Sequence, residues 1–280
     1  MKTLAPILGL AALLNFNRTA SAAEVSYSKD GRGVPGYHDT PVQPWSGWHT
    51  HDPDRPVPER IAPGEPGTQQ QAGTAPSDAI VLFDGHDTSR WLPTAEWKIA
   101  DGLLVAGKGF LTTTQAFGDC QLHLEWQAPN PPVGGLWDQG NNGLFMMGMT
   151  EIQIFDSWTN KLYADGQAGA VYAQTPPLVD PIRRSGEWQT YDLIWWSPTF
   201  ADGKLEQPAR LTMLFNGVLV HLDQEIYGTT PHRGLAKYPN TNTTGPLSLM
   251  GHSNPVRFRN IWIRPLPPRK DLKPDGKEKS

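Results

Sequence analysis

Between residues 78 and 266 the chain is a succession of short β-forming runs, and nothing between them keeps a helical period. The runs are AIVLF (79–83), WKIADGLLVA (97–106), QLHLEWQA (121–128), NGLFMM (142–147), TEIQIF (150–155), GAVYAQ (169–174), WQTYDLIWW (188–196), ARLTMLFNGVLVHLDQEI (209–226), LSLM (247–250) and VRFRNIWI (256–263). β-Branched and aromatic residues in such runs favour a pleated, half-buried surface. Parallel strands need long crossovers, usually helices, so the pairing is expected to be antiparallel. Asn216-Gly217, set between two runs, is the signature of a type I′ hairpin. Closing this many strands without helices calls for an all-β architecture, an antiparallel β-sandwich or jelly roll in one domain over residues 78–266. The 28 Gly and 27 Pro supply its turns. A single cysteine, Cys120, excludes an intramolecular disulfide and a cysteine-built zinc site, so any metal would use oxygen or imidazole ligands. With 24 Lys and Arg against 28 Asp and Glu, and no dense basic cluster, nucleic-acid binding is disfavoured.

The flanks read differently. Residues 1–22 carry Lys2, an apolar run from Leu4 to Leu14 and an Ala20-Ser21-Ala22 site, the pattern of a cleaved secretion signal. The run is short for a transmembrane segment, and no Cys follows it for a lipid anchor. The expected location is therefore periplasmic or secreted. Residues 23–77 form a Pro/Gly/Gln-rich arm with no period of its own. Inside it, GYHDTPVQPWSGWHTHDPDRPVP contains Trp45, Trp48, His49 and His51, which are expected to pack or hydrogen-bond rather than to hold a metal as two imidazoles alone. Residues 267–280 form a charged tail without the apolar content to fold.

The chemistry concentrates on TEIQIFDSW. In a strand, Glu151 and Gln153 project to one face and Ile152 and Ile154 to the other. Asp156 reaches the polar face only if a bulge falls near Ile154 or Phe155. Two carboxylates facing one groove suit acid–base work on a glycosidic centre. The neighbouring WDQGNNGLFMMGM and YADGQAGAVYAQTPPLVD add glycines, amides and Tyr172, groups that hydrogen-bond hydroxyls. Gln121, His123 and Glu125, and likewise His221, Asp223 and Glu225, alternate with apolar residues and are expected to form wet outer faces. Phe145, Met146 and Met147 are expected in the core.

The blocks QGNNGLFMMGMTEIQIFDSW, YADGQAGAVYAQTPPLVD, GEWQTYDLIWW, LFNGVLV and HSNPVRFRNIWIRPL, in this order, resemble the 3-keto-disaccharide (3-keto-glycoside) hydrolase domain over roughly residues 77–266. The resemblance implies a concanavalin A-like jelly roll and cleavage of glycosides whose C3 hydroxyl has been oxidised to a ketone. It also implies C2-proton abstraction, β-elimination of the C1 substituent and hydration. Glu151 and Asp156 would serve as base and acid in either order, with His252 as proton carrier or metal ligand. Gln153, Asn141, Gln167, Tyr172 and Arg257 would hold hydroxyls or the enolate. No cofactor is specified beyond a divalent cation by analogy with the fold, and a separate sugar 3-dehydrogenase would make the keto substrate. The strand is also similar in spacing to the Glu-x-Asp-x-x-Glu strand of laminarinase-type glucanases, but Gln153 replaces the central carboxylate and Asp156 the last Glu. Where relatives carry Arg-Tyr before the Glu this chain has Met149-Thr150, and their Asp-His-Gly-Asn-Pro is Gly251-His252-Ser253-Asn254-Pro255 here. A non-catalytic sugar-binding protein, an ordinary glucanase and an extracellular scaffold are the alternatives.

Overall fold

The structure, a computed structural model, describes residues 24–42, 47–49, 52–54, 66–158, 160, 163–230 and 235–267. The leader, the tail beyond Pro267, Trp45 and His51 lie outside them. The chain divides into two compact units, Met1–Pro58 with Lys273–Ser280, and Glu59–Leu272. The first holds an antiparallel pair of two-residue strands, β1 (Ser26–Tyr27) and β2 (Pro35–Gly36). Among the described residues no helix is long and apolar enough to cross a membrane.

The second unit is a β-sandwich. Its strands are β3 (Ile80–Phe83), β4 (Lys98–Ala100), β5 (Leu103–Val105), β6 (Lys108–Phe117), β7 (Cys120–Gln127), β8 (Asn142–Met146), β9 (Thr150–Ile154) and β10 (Trp188–Trp196). They continue with β11 (Thr199–Ala201), β12 (Lys204–Gln207), β13 (Arg210–Phe215), β14 (Val218–Glu225), β15 (Gly245–His252) and β16 (Arg257–Pro265). The larger sheet runs β14-β13-β10-β7-β16-β5-β4 with β3 also on β16, and the smaller runs β6-β15-β8-β9. All pairings are antiparallel. Alternation places Leu122, Leu124, Trp126, Tyr191, Leu193, Trp195, Met213 and Phe215 of the large sheet in the core with Leu144, Ile152, Ile154 and Leu249 of the small one. Asn216 and Gly217 join β13 to β14 with φ of 52° and 78°, the two positive values a type I′ turn requires. Met146 is core as expected, whereas GAVYAQ is not a strand but a loop bridged to β9 through Val171 and Ile152. β6 was not legible in the sequence, since its Lys-Gly start and three consecutive threonines blur the alternation.

The outer face of β7 corrects the expectation of a wet surface. Both His123 and Glu125 are buried, Glu125 beneath the chain around Gly67 and Gly73, and His123 stacked 5.3 Å from the Trp262 ring and bonded to Asp192. The Gly73 N–H donates to Glu125 Oε1 at 2.8 Å, and Gln69 exchanges two hydrogen bonds with the main chain of Trp188. Glu125 also accepts from Arg259 Nε at 2.6 Å and Asn260 Nδ2 at 2.8 Å. The Arg259 guanidinium lies 4.0 Å over the Trp188 ring and donates to the carbonyls of Thr68 and Gln71. A bulge in β16, with Asn260 at φ 47°, lets both Arg259 and Asn260 reach this face while Phe258 and Ile261 stay in the core. His221 departs from expectation too. It is buried and bonded to the Gly169 carbonyl at 2.8 Å, while Asp223 and Glu225 stay near solvent beside Arg210.

Candidate active site

The small sheet supplies the floor of a cavity. Its register sets Phe110, Met250, Gly143 and Gln153 in one cross-strand row and Thr112, Ser248, Phe145 and Glu151 in the next. Since i and i+2 share a face, both rows look away from the core, on the side of Glu151 and Gln153 read from the sequence. The cavity, of about 520 Å³, is lined by Trp137, Asn141, Phe145, Glu151, Gln153, Tyr163, Tyr172, Thr230, Met250 and His252. Both edges of β9 are taken. β8 holds one, and on the other the N–H of Tyr172 donates to Glu151 O at 3.0 Å and the N–H of Gly169 to Gln153 O at 2.9 Å. Tyr191 adds an O–H bond to Gln153 O at 2.7 Å from inside the core.

Glu151 is 6% exposed, and its N–H donates to Thr230 Oγ1 at 2.8 Å. Its carboxyl rests over Gly143, where a Cβ would lie 2.5 Å from Oε1, so the position opposite Gln153 has to lack a side chain. Among the described residues no cation pairs with it, and Phe145 and Met250 make the surroundings apolar. Burial pushes its pKa up to about 8, so the carboxyl is protonated at neutral pH. Gln153 is 2% exposed; its Nε2 reaches Gly166 O at 3.4 Å, and its Oε1 is buried with no partner among the described residues.

The rim is aromatic. Tyr163 and Tyr172 share a hydroxyl–hydroxyl hydrogen bond of 2.6 Å, and burial raises the Tyr172 hydroxyl pKa, so it stays a neutral donor. Trp137 lies 6.1 Å from the Tyr163 ring and is 57% exposed. Asn141 Nδ2 holds the Trp137 carbonyl at 2.7 Å. His252 ends β15 at the mouth of the cavity, exposed to solvent on one side, and its partial desolvation lowers its pKa below 6.5, so the imidazole is mostly neutral at pH 7.

Three sequence candidates fall elsewhere. β9 stays in register with β8 to Ile154, with no bulge, and Asp156 is buried on the far side of that turn without lining the cavity. Its N–H donates to Gln139 O at 3.0 Å, and its Oδ2 has no partner. The pairing of Glu151 with Asp156 across one groove is therefore corrected: β9 ends at Ile154, and Asp156, packed against Gly140 in the segment that follows, does not line the cavity. Gln167 caps the turn Ala164–Gly166 and supports the rim rather than lining it. Arg257 borders a separate depression with Gln127 and Pro255. Conversely, Trp137, Phe145, Tyr163, Thr230 and Met250 were missed as lining residues; a tryptophan beside Gly134-Gly135 was the one signal pointing to the rim. Glu151 and His252 are the donors of metal-ligand type in the cavity lining. In the arm, His49 hydrogen-bonds as expected, its N–H to Asp52 Oδ2 and its Nδ1 to the Thr40 carbonyl.

The family described as the 3-keto-alpha-glucoside-1,2-lyase-like domain matches residues 78–264. A candidate glycosyl hydrolase of Parabacteroides distasonis ATCC 8503, with a 2.13 Å crystal structure, is 40% identical with a TM-score of 0.71, over 75% of this chain and 93% of that one. A second candidate glycosyl hydrolase of that organism is 22% identical with a TM-score of 0.50, over 67% of this chain and 99% of its own, a likeness of fold. No protein of curated function matches the chain.

Proposed function

The chain belongs to the family of 3-keto-alpha-glucoside-1,2-lyase-like domains, and on that premise we propose that it breaks the C1–O bond of glycosides carrying a ketone at C3. Membership, with the 40% identical candidate glycosyl hydrolase, makes it a carbohydrate-active enzyme. The observation that carries the finer reading is a buried carboxyl that keeps its proton to about pH 8 and a neutral imidazole on the same cavity.

A C3 ketone acidifies the C2 hydrogen. The His252 imidazole takes that hydrogen as a proton, the C–H electron pair forms the C2=C3 bond, and the C3 oxygen becomes an enolate. When the enolate collapses back to the ketone, C1=C2 forms and the C1–O bond breaks, and the departing oxygen takes the proton of Glu151. Water adding at C1, with a proton returned to C2, releases the free 3-keto sugar. The neutral Tyr172 hydroxyl and the Asn141 amide serve as donors to the C3 oxygen. The exposed faces of Trp137 and Tyr163 take the leaving group's ring. The C3 ketone must be supplied by a dehydrogenase acting on the C3 hydroxyl.

The test is release of the aglycone from a 3-keto-glucoside and from its unoxidised parent, side by side and with or without chelator, with products read by NMR. Turnover of the keto substrate alone is expected; equal turnover of the parent, or binding of both without turnover, would replace this reading with an ordinary glycosidase or a sugar-binding protein. Accumulation of the 1,2-unsaturated ketone would mark a lyase, and its absence a complete hydrolase. Gly143→Ala sets a methyl against the Glu151 carboxyl, and a misplacement near 1 Å costs roughly 10²-fold. That loss in kcat/KM, with an unchanged circular dichroism spectrum, is the expected outcome.

A further inference from the structure

The described residues of the N-terminal unit carry little regular structure. Its regular structure among the described residues is the two-residue pair β1–β2 and a bridge between Val42 and His49. Val25, Tyr27 and Val42 are exposed, and the single cysteine of the chain lies in β7. Units below about 70–80 residues usually need a disulfide, a metal or a partner to make up for a small core. A disulfide is unavailable to this segment.

What converges instead is a set of metal-ligand side chains from separate parts of the segment. His38 Nε2 and one carboxylate oxygen each of Asp52 and Asp54 all lie within 4.8 Å of one another. His38 Nε2 is 2.9 Å from Asp54 Oδ2 and 3.7 Å from Asp52 Oδ1. An ion bound at about 2.0–2.2 Å by nitrogen and oxygen, as zinc is, places neighbouring tetrahedral ligands roughly 3.3–3.6 Å apart, between these two separations. Main-chain donors already orient both carboxylates. Lys29 N–H donates to Asp54 Oδ1 at 2.7 Å, Asp54 N–H to Asp52 Oδ1 at 3.0 Å and His49 N–H to Asp52 Oδ2 at 3.2 Å. Outer donors of this kind are how metal ligands are held in place. The Asp52 side chain is only 7% exposed, so the ligand set is partly withdrawn from water. Among the described residues the one cation at the cluster is the Lys29 ammonium, 3.2 Å from Asp54 Oδ2 and 79% exposed.

We propose that His38, Asp52 and Asp54 bind a divalent transition-metal ion of the zinc class and that this ion clamps the N-terminal arm. One imidazole with two carboxylates suits zinc or manganese and is foreign to calcium, which takes oxygen ligands alone. Water completes the coordination. The site is structural, and it stands whether or not the reading of the sandwich cavity holds.

The test uses the full chain, stripped with chelator, dialysed and titrated with zinc chloride by calorimetry, with retained metal counted by mass spectrometry. One ion per chain is expected. His38→Gln and Asp54→Asn should each weaken binding by at least the roughly 10- to 100-fold that loss of an outer-shell partner costs, and Lys29→Met should tighten it. Cobalt(II) should give a visible absorption band that His38→Gln removes. A readout needing no variant is limited proteolysis of the wild type, in which zinc should slow and chelator speed cleavage between residues 24 and 58. Absence of saturable binding, affinity unchanged in both ligand variants, or proteolysis indifferent to zinc would each overturn the site.

Discussion

Glu151→Gln is expected to lower kcat/KM on a 3-keto-glucoside by roughly 10²- to 10⁴-fold, the range a positioned proton donor contributes. The amide keeps the size of the carboxyl and fits over Gly143, but it has no acidic proton for the departing C1 oxygen. Wild-type activity should climb as His252 loses its proton, below the ordinary histidine pKa of 6.5, and fall as Glu151 ionises near pH 8. The variant should keep the first limb and lack the second. Stability moves the other way. The folded-state pKa of Glu151 is raised from 4.5 to about 8, so the stability linked to its proton is full below 4.5 and drains as pH rises toward 8. The loss is about 1.4 kcal/mol for each pH unit in that window, a few kcal/mol by neutrality. Glutamine has no proton to lose, so the variant should melt at a higher temperature than wild type at pH 7.5, with the gap closing toward pH 4.5. A variant that is folded, more stable and inactive would separate the chemistry of Glu151 from its cost to the fold; near-normal turnover would remove it from the mechanism.

Arg259→Met should destabilise the sandwich by about 3–5 kcal/mol, because it strips the cation from a carboxylate that remains buried. Glu125 is fully buried and Arg259 is 7% exposed. Burial raises the Glu125 pKa, but His123, the Gly73 N–H, Asn260 and Arg259 outweigh it and hold the carboxyl down at about 2. Methionine roughly keeps the volume over Trp188 but loses the bonds to Glu125 and to the carbonyls of Thr68 and Gln71. For a unit of this size the shift in Tm is roughly 10 °C, read by thermal or urea unfolding. Adding Glu125→Gln should restore part of the loss, since the stranded charge disappears; a double variant no better than the single would mean that the interstrand charge pair is not what holds residues 66–77 down. The network also has a pH signature. Glu125 contributes above 4.5 and loses its effect as pH falls toward 2. His123, 2.6 Å from Asp192, is raised from 6.5 to about 9 against the opposing effect of burial, so its contribution is full below 6.5 and drains toward 9. Wild type should therefore gain most from this network between about pH 4.5 and 6.5, and Arg259→Met should flatten that optimum.

The sandwich, its antiparallel pairing, the Asn216-Gly217 hairpin and the shared face of Glu151 and Gln153 were legible without coordinates, because each follows from a period of two or from the φ values a two-residue turn demands. The same local rule, taken one step further, needed a bulge to bring Asp156 to Glu151, but β9 ends at Ile154 and the rule ends with it, and His252 rather than Asp156 lines the cavity. Residues 66–77 crossing the large sheet turn Glu125 from a wet face into a buried ion network, and residues 166–172 along the edge of β9, with Tyr172, help enclose the cavity above its polar face. Neither covering is written in the strands it covers. Alternation along a strand is set by its own backbone, so the sequence alone determined which side chains share a face. Whether that face meets water, and hence whether Glu151 keeps its proton, depends on segments distant in the chain, and only the tertiary structure decided it.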